Sequence, residues 1–262
     1  MKKIIAALLV AALTLTMFAA CSKKAEESPS APTTQYGGEK LPEFPVNKGV
    51  KEYKNADGEV VYKVDYNVPF IEEETYGKYS ADVINKLITD DFLNETFASV
   101  EARAETEKLS ANGPSDIKIS HEIKYRSDNL LSVVFTTAYS SQYQIVEART
   151  FNLKDGTALN AEQLFAKDID GTKANLMDYF KGIYANIIKD VDLTPEQIEE
   201  KLETEFYSIN FYITDSYISF IYNESDFKDG VGLGAGIYEF IGDWNSLASI
   251  GFVPNPEDIF AE

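Results

Sequence analysis

Three consecutive stretches of alternating apolar and polar residues, between residues 117 and 151, constrain the fold most. The first stretch predicts a pleated strand with one apolar face, formed by Ile117, Ile119, His121, Ile123 and Tyr125. Residues 131–139 and 143–151 repeat the alternation, and short polar turns separate the three stretches. Strands that bury only one face are typical of antiparallel sheets. The sequence therefore predicts a three-stranded antiparallel meander.

The periodicity becomes helical before and after this meander. Apolar residues recur at steps of three and four over residues 80–109, with Ser80 as the predicted N-cap, and again over 175–189. Asn160 with Gln163, and Thr194 with Gln197, have the spacing of capping boxes. Further strands are predicted at 60–68, 207–213, 217–223 and 237–241, and a short helix at 244–250. Because the helices interrupt the strands as a block, we expect an α+β fold in which an antiparallel meander sheet packs against two or three helices.

The N-terminal segment predicts export. Lys2 and Lys3 precede about fifteen apolar residues, which is shorter than the roughly 20 residues that a membrane span needs. Ala19 and Ala20 stand before Cys21, the only cysteine. This arrangement resembles a bacterial lipoprotein signal, which implies cleavage before Cys21, lipidation of Cys21 and attachment to the extracytoplasmic face of the cell membrane. The alternative is an ordinary secretory signal followed by an unpaired thiol.

Composition and charge divide the rest of the chain. After a signal peptide at 1–20, residues 21–48 are rich in Ser, Pro, Thr and Glu and predict a flexible linker. Residues 49–262 are predicted to form a single α+β domain.

The net charge of −19 becomes −21 once Lys2 and Lys3 are removed. Such acidity argues against nucleic acid as a partner. Each buried methylene of a lipid contributes about 0.8 kcal/mol, so acyl chains at Cys21 would hold the protein to a membrane despite this charge.

Several motifs occur in a fixed order along the chain. They are Leu-Leu-Ser-Val-Val-Phe at 130–135, Thr-Phe-Asn-Leu-Lys-Asp-Gly at 150–156, Leu-Phe at 164–165, Phe-Tyr-Ile-Thr-Asp at 211–215 and Ile-Ser-Phe-Ile-Tyr-Asn at 218–223. Together they resemble domain-of-unknown-function family 3298, over about residues 115–241. Residues 60–110 resemble its usual companion, family 4163. The resemblance implies a cell-envelope binding module, as in accessory domains of peptidoglycan deacetylases and extracytoplasmic domains of lysozyme-sensing anti-sigma factors. It transfers no catalytic residue.

The candidate ligand-binding residues are Tyr139, Gln142, Tyr143 and His121. Family members carry a Gly-Gly-Ala-His turn where this chain has Ser-Ser-Gln-Tyr at 140–143. Tyrosines give large, rigid contacts that suit glycan or protein recognition, although they also occur simply at sheet margins. A single histidine completes neither a metal site nor a catalytic triad, and a hydrogen-bonded structural role is the alternative for His121.

The predicted function is non-catalytic binding of a glycan or protein ligand, with no cofactor and no metal. Two alternatives stay open. The acidic chain could supply paired carboxylates to an enzyme that acts on envelope polysaccharides. Asp-Ile-Asp-Gly at 168–171 begins like a calcium loop and would suit a calcium-dependent adhesion module, but it lacks the later ligands of that motif.

Overall fold

The computed structural model describes residues 44–73, 77–139, 143–166, 210–223 and 237–260, with isolated positions between 171 and 200. These residues belong to the compact unit Thr33–Glu262, whereas the unit Met1–Pro32 lies outside them. The predicted signal peptide, Cys21 and the linker up to residue 43 are therefore outside the described residues. So are Gln142, residues 168–170 and most of the predicted helix at 175–189.

The larger of two sheets has five strands in the order β1-β2-β3-β4-β5. The strands are β1 (Val46–Lys54), β2 (Val60–Pro69), β3 (Ser115–Arg126), β4 (Leu130–Ala138) and β5 (Gln144–Asn152). β3, β4 and β5 form the predicted antiparallel meander, and β1 pairs antiparallel with β2. β2 and β3 run parallel, because a helix between them returns the chain to the same end of the sheet. The predicted α+β class is confirmed, and the sheet is mixed.

A continuous helical segment, residues 78–104, connects β2 to β3 across one face of this sheet. It comprises α1 (Lys78–Lys86), a π-helical stretch (Leu87–Asn94) and α2 (Glu95–Ala104). Except for the adjacent pair Phe92 and Leu93, its buried apolar residues recur at steps of three or four: Ala81, Ile84, Ile88, Phe92, Leu93, Phe97, Val100 and Ala104. Hydrogen bonds from i to i+5 wind the π stretch more widely than an α-helix, so the step of five from Ile88 to Leu93 stays on one face. The larger of these side chains, from Ile84 to Val100, pack in one cluster with Val64, Ile119 and Phe135 of the sheet, and each contributes about 1.5–3 kcal/mol when fully buried.

The start of this helix differs from the prediction. The helix begins at Lys78 after Gly77, and no side chain caps it. The Ser80 hydroxyl instead donates a hydrogen bond to the carbonyl oxygen of Lys154, 2.8 Å away in the turn after β5. The prediction of Ser80 as the N-cap is wrong, because a turn distant in sequence packs against the helix and engages the hydroxyl.

A β-bulge divides the residues of β3 between two faces. The register between β3 and β4 shifts between Ile123 and Tyr125. One extra residue reverses the direction of every later side chain. Ile123 packs with the helix-side cluster, whereas Tyr125 is buried in the opposite cluster with Leu130 and Trp244. The prediction that Tyr125 shares a face with Ile117 is therefore wrong.

The second sheet covers that opposite face of β3–β5. It contains β6 (Asn210–Ile213), β7 (Tyr217–Asn223) and β8 (Ile237–Asp243), all antiparallel and in that order. The predicted hairpin around residues 214–216 and the predicted terminal helix, α3 (Trp244–Ala248), are both confirmed. A 3₁₀ turn, Pro256–Phe260, follows, and Glu257 in it accepts hydrogen bonds from the Tyr125 hydroxyl and the Asn129 amide.

Two hydroxyl groups connect the sheets. Ser132 on β4 and Thr150 on β5 are register partners, and their side-chain oxygens are 2.8 Å apart. The backbone N–H of Ile213 donates to Ser132 Oγ at 3.0 Å, and Thr150 Oγ1 donates to the carbonyl oxygen of Phe211 at 3.5 Å. Among the described strands β6 lies at the edge of its sheet, so these bonds satisfy backbone groups that its pairing with β7 leaves unpaired in the core.

Both predicted capping boxes form. The side chains of Asn160 and Gln163 bond to each other's backbone N–H groups, although they open only a 3₁₀ turn, Ala161–Leu164. The N–H of Thr194 donates to Gln197 Oε1 at 2.9 Å, and the N–H of Gln197 donates to Thr194 Oγ1 at 3.3 Å. The short local motif therefore specified the contact but not the length of the helix that follows.

Candidate functional site

The structure brings two of the predicted site residues together. Tyr139 and Tyr143 flank the β4–β5 connection, where the Tyr139 N–H donates to the Tyr143 carbonyl oxygen at 3.0 Å. Their ring centroids lie 5.0 Å apart, with 37° between the ring planes. Gln142, between them in sequence, is outside the described residues.

This tyrosine pair contacts the end of α2. The Arg103 guanidinium lies 5.0 Å from the centre of the Tyr139 ring, which is within the range of a cation–π contact. Burial raises the pKa of the Tyr139 hydroxyl, and the nearby Arg103 charge opposes that rise. Tyr143 is itself buried. These contacts attach the β4–β5 connection to the helix and give both tyrosines a structural role.

His121 lies apart from the tyrosine pair. It is the register partner of Phe135 on β4, and Phe135 precedes Tyr139 by four residues, which corresponds to about 13 Å along an extended chain. Its ring is partly buried, and Nδ1 lies 3.0 Å from the carbonyl oxygen of Asn67 on β2. Because a carbonyl oxygen can only accept, Nδ1 carries the proton and donates it in this bond. The histidine therefore joins β3 to the end of β2.

We expect His121 to make folding weaker in mild acid. Burial lowers the pKa of this histidine below its usual 6.5, and the hydrogen bond to Asn67 opposes that effect only in part. The unfolded chain then binds the proton more readily than the folded chain, so stability falls as the pH drops through about 6.5 toward the lower folded-state pKa. Urea unfolding from pH 7.5 to 5.5 measures this loss. His121→Gln should show a smaller loss over the same interval, and an identical pH dependence in the variant would contradict the assignment.

A groove beside β1 is a stronger candidate site, and the sequence did not predict it. The groove has a volume of about 620 Å³, within the range of small-ligand pockets. One wall is the run from Lys51 to Lys54 on β1. The other wall is a stripe of the helical segment, formed by Asn94, Phe97, Ala98 and Glu101. These four positions follow the i, i+3, i+4, i+7 spacing of a single helix face. We call this site the β1–α2 groove.

Aromatic rings form the inner part of the groove. The Phe97 ring lies 5.4 Å from that of Tyr66 in an edge-on arrangement and 6.5 Å from that of Tyr53. Gly49 allows this packing, since a Cβ there would lie 2.7 Å from the Tyr66 hydroxyl oxygen. The ammonium group of Lys51 sits 3.9 Å from the centre of the Phe97 ring. An apolar surface is thus combined with a cation at its rim.

The Tyr53 hydroxyl is buried and makes no hydrogen bond within the described part of the chain. Burial, and secondarily the charge of Glu101, raise the pKa of Tyr53 to about 12. Tyr53 therefore stays neutral at physiological pH. Its contribution to the groove is an aromatic surface and not a charge.

Little in the sequence indicates this site, because β1 lacks a clear alternation of apolar and polar residues. Every residue of β1 is exposed or half-buried, and Val50 keeps 66% of its surface exposed. The strand also begins inside the predicted linker, which was placed at residues 21–48. The one available signal was the concentration of lysines at residues 48, 51 and 54 in an acidic chain.

Among the described residues, no group of three or more His, Cys, Asp or Glu side chains is placed to hold a metal ion. No helix in this part of the chain has the length and apolar character needed to cross a bilayer.

No family model and no curated protein matches the chain. Among solved structures, a member of the DUF3298 family from Bacteroides fragilis is 15% identical, with 84% of this chain and 98% of that chain covered and a TM-score of 0.43. A DUF3298 family protein from Pseudomonas aeruginosa is 8% identical, with 81% of this chain and 96% of that chain covered and a TM-score of 0.45. Both neighbours carry the family name that the sequence motifs resemble, while the resemblance to family 4163 stays a prediction.

Proposed function

We propose that this chain is a lipid-anchored protein of the bacterial cell envelope, whose extracytoplasmic domain binds a glycan or protein ligand without catalysing its conversion. The β1–α2 groove is the observation that carries this proposal. It combines a concave aromatic surface, formed by Phe97 and Tyr53, with a few charged groups at its rim. Ligand-binding sites generally have this composition, because apolar area supplies affinity and a few polar groups supply orientation.

The states of the groove side chains support binding over proton transfer. Tyr53 is held neutral by its raised pKa. The Lys51 ammonium is engaged with the Phe97 ring, and Glu52 pairs with Lys63 at 3.5 Å. A general acid or base needs a pKa near the working pH and access to the reacting atom. These groups serve better as fixed contacts for a bound molecule.

Binding at the groove is tested with a substitution that fills it. Ala98 is exposed on α2 and lines the groove, so Ala98→Trp should obstruct it without disturbing the core. Ala102 is exposed on the same helix outside the groove lining, which makes Ala102→Trp the matched control. Isothermal titration of the full chain against soluble peptidoglycan fragments and against peptides should show binding to one of these classes. The affinity should fall about tenfold or more in Ala98→Trp and less than about twofold in the control.

Two results would contradict this function. One is chemical turnover of a bound fragment, detected by mass spectrometry. The other is an affinity that Ala98→Trp leaves unchanged, since it would place the ligand elsewhere.

The anchor is tested separately at Cys21. Metabolic labelling with a fatty acid should mark the wild-type protein, and Cys21→Ser should abolish both the label and the membrane association. An unlabelled wild-type chain recovered from the cytoplasm would overturn the envelope location while leaving the groove experiment unaffected.

A further inference from the structure

The β1–α2 groove runs along an open edge of the five-stranded sheet. β1 is the first strand in the sheet order, and no strand pairs with its outer side within the described residues. The groove residues of β1 are consecutive, from Lys51 to Lys54, and the facing residues belong to one helix stripe. A strand edge opposite a helix is the geometry in which an extended peptide can add to a sheet, pairing its backbone with the edge and placing alternate side chains in the groove.

The dimensions of the groove suit a short extended segment. Four residues of β1 extend over about 13 Å, so an added strand would place about four residues beside them. Alternate side chains of such a strand point toward the helix. There they would meet the Phe97 ring and the small side chain of Ala98, which leaves room for an apolar or aromatic group.

The charges along β1 favour an acidic segment. In a chain of net charge −19, this strand carries Lys48, Lys51 and Lys54, and its one acidic residue, Glu52, pairs with Lys63. In the described part of the chain, no carboxylate lies within ion-pair distance of those three lysines. Lys48 and Lys54 are therefore available to an incoming carboxylate, whereas the Lys51 ammonium lies over the Phe97 ring. Lysines on an edge strand also oppose pairing between two copies of the same edge, since like charges would face each other.

We propose that the β1–α2 groove binds an extended acidic peptide segment of a partner protein by strand addition to β1. This proposal rests on the ligand-binding function above and narrows the ligand to a peptide. The peptide backbone pairs with the outer edge of β1, and its apolar side chains face the helix, where they contact Phe97 and the Lys51 side chain. Its carboxylates lie on the opposite face of the strand and contact Lys48 and Lys54.

The test uses the full chain and four probes. The first probe is a capped octapeptide in which glutamate alternates with valine and one central phenylalanine. The second carries lysine in place of each glutamate. The third is a pair of peptides that carry N-methyl groups on alternate backbone amides of the first, one peptide in each of the two registers. The fourth is a mixture of soluble peptidoglycan fragments. Fluorescence anisotropy or calorimetry measures each affinity, and light scattering reports the oligomeric state.

We expect the glutamate peptide to bind, with an affinity that falls as salt is raised. The lysine peptide should bind at least about tenfold more weakly. At least one of the two N-methylation registers should lose binding, because it removes donors that strand pairing needs. The double variant Lys48→Glu, Lys54→Glu should weaken binding of the glutamate peptide about tenfold. Lys86→Glu with Lys118→Glu changes the net charge equally at exposed sites outside the groove, and it should have less than a twofold effect.

Distinct results would overturn the proposal. If both N-methylated peptides bind as tightly as the unmodified glutamate peptide, strand addition is excluded. If the lysine peptide binds as tightly as the glutamate peptide, a preference for acidic residues is excluded. Peptidoglycan fragments that bind while the glutamate peptide does not, with loss in Ala98→Trp, would refute the peptide ligand and leave the proposed function standing. A dimer that Ala98→Trp dissociates would identify a second copy as the occupant. If no probe binds, the peptide inference and the ligand-binding function fail together.

Discussion

Ser132→Ala should lower the free energy of unfolding by about 2–3 kcal/mol. Ser132 is completely buried, and its hydroxyl oxygen accepts a hydrogen bond from the backbone N–H of Ile213 in the second sheet. The substitution leaves that N–H in the core without its partner and removes the contact with Thr150. Denaturant unfolding monitored by fluorescence measures the change.

Ser219→Ala provides a matched control. Ser219 is also completely buried, but its hydroxyl neighbours only Tyr212, its register partner within the same sheet, and bonds to no backbone group of the other sheet among the described residues. Removing this hydroxyl leaves no buried backbone group without a partner, so it should lower the free energy of unfolding by less than about 1 kcal/mol. Equal losses in the two variants would show that Ser132 contributes only packing and that the hydroxyl bridge between the sheets is unimportant.

Gly156→Ala should lower the free energy of unfolding by about 3 kcal/mol. Gly156 has φ of +77°, a region that costs a residue with a Cβ about 1–2 kcal/mol. An added Cβ would also lie 2.8 Å from Val83 Cβ and 2.9 Å from the carbonyl oxygen of Ser80. Relieving this overlap requires the turn to move away from α1, at a further cost of about 1–3 kcal/mol. Thermal and denaturant unfolding both report the loss.

Gly58→Ala separates the two causes. Gly58 has nearly the same φ, +82°, and no atom lies within 4 Å of the position of an added Cβ. Its loss should be limited to the backbone cost of about 1–2 kcal/mol. If Gly58→Ala is as damaging as Gly156→Ala, the contact between the turn and the helix does not contribute to stability.

The turn that contains Gly156 also helps to position the β1–α2 groove. The turn containing Gly156 packs against α1, which continues through the π stretch into α2 and so sets the position of one groove wall. β1 forms the other wall and pairs only with β2 in the described part of the chain. The groove therefore depends on the helix being held at a fixed height above the sheet. We expect Gly156→Ala to weaken binding in the groove as well as folding.

Local patterns in the sequence predicted a large part of this fold. The alternation over residues 117–151 gave the meander, and the helical period before it gave the segment at 78–104. The pair Asn160 and Gln163 gave a capping contact that the structure contains. These features are specified by residues close together in the chain, where side-chain period and local hydrogen bonds decide the outcome. The α+β class follows from their order.

Contacts between distant residues decided the rest. Ser80 bonds to Lys154 rather than to its own helix, and the bulge in β3 turns Tyr125 to the opposite core. β1 has almost no buried face, so it is a strand because β2 pairs with its backbone and not because of an apolar pattern. The groove exists only where that strand meets α2. The sequence by itself determined which segments are strands and helices wherever burial imposes a periodic apolar pattern. Tertiary packing alone created the β1–α2 groove, because its two walls lie some 40 residues apart in the chain and share no local pattern.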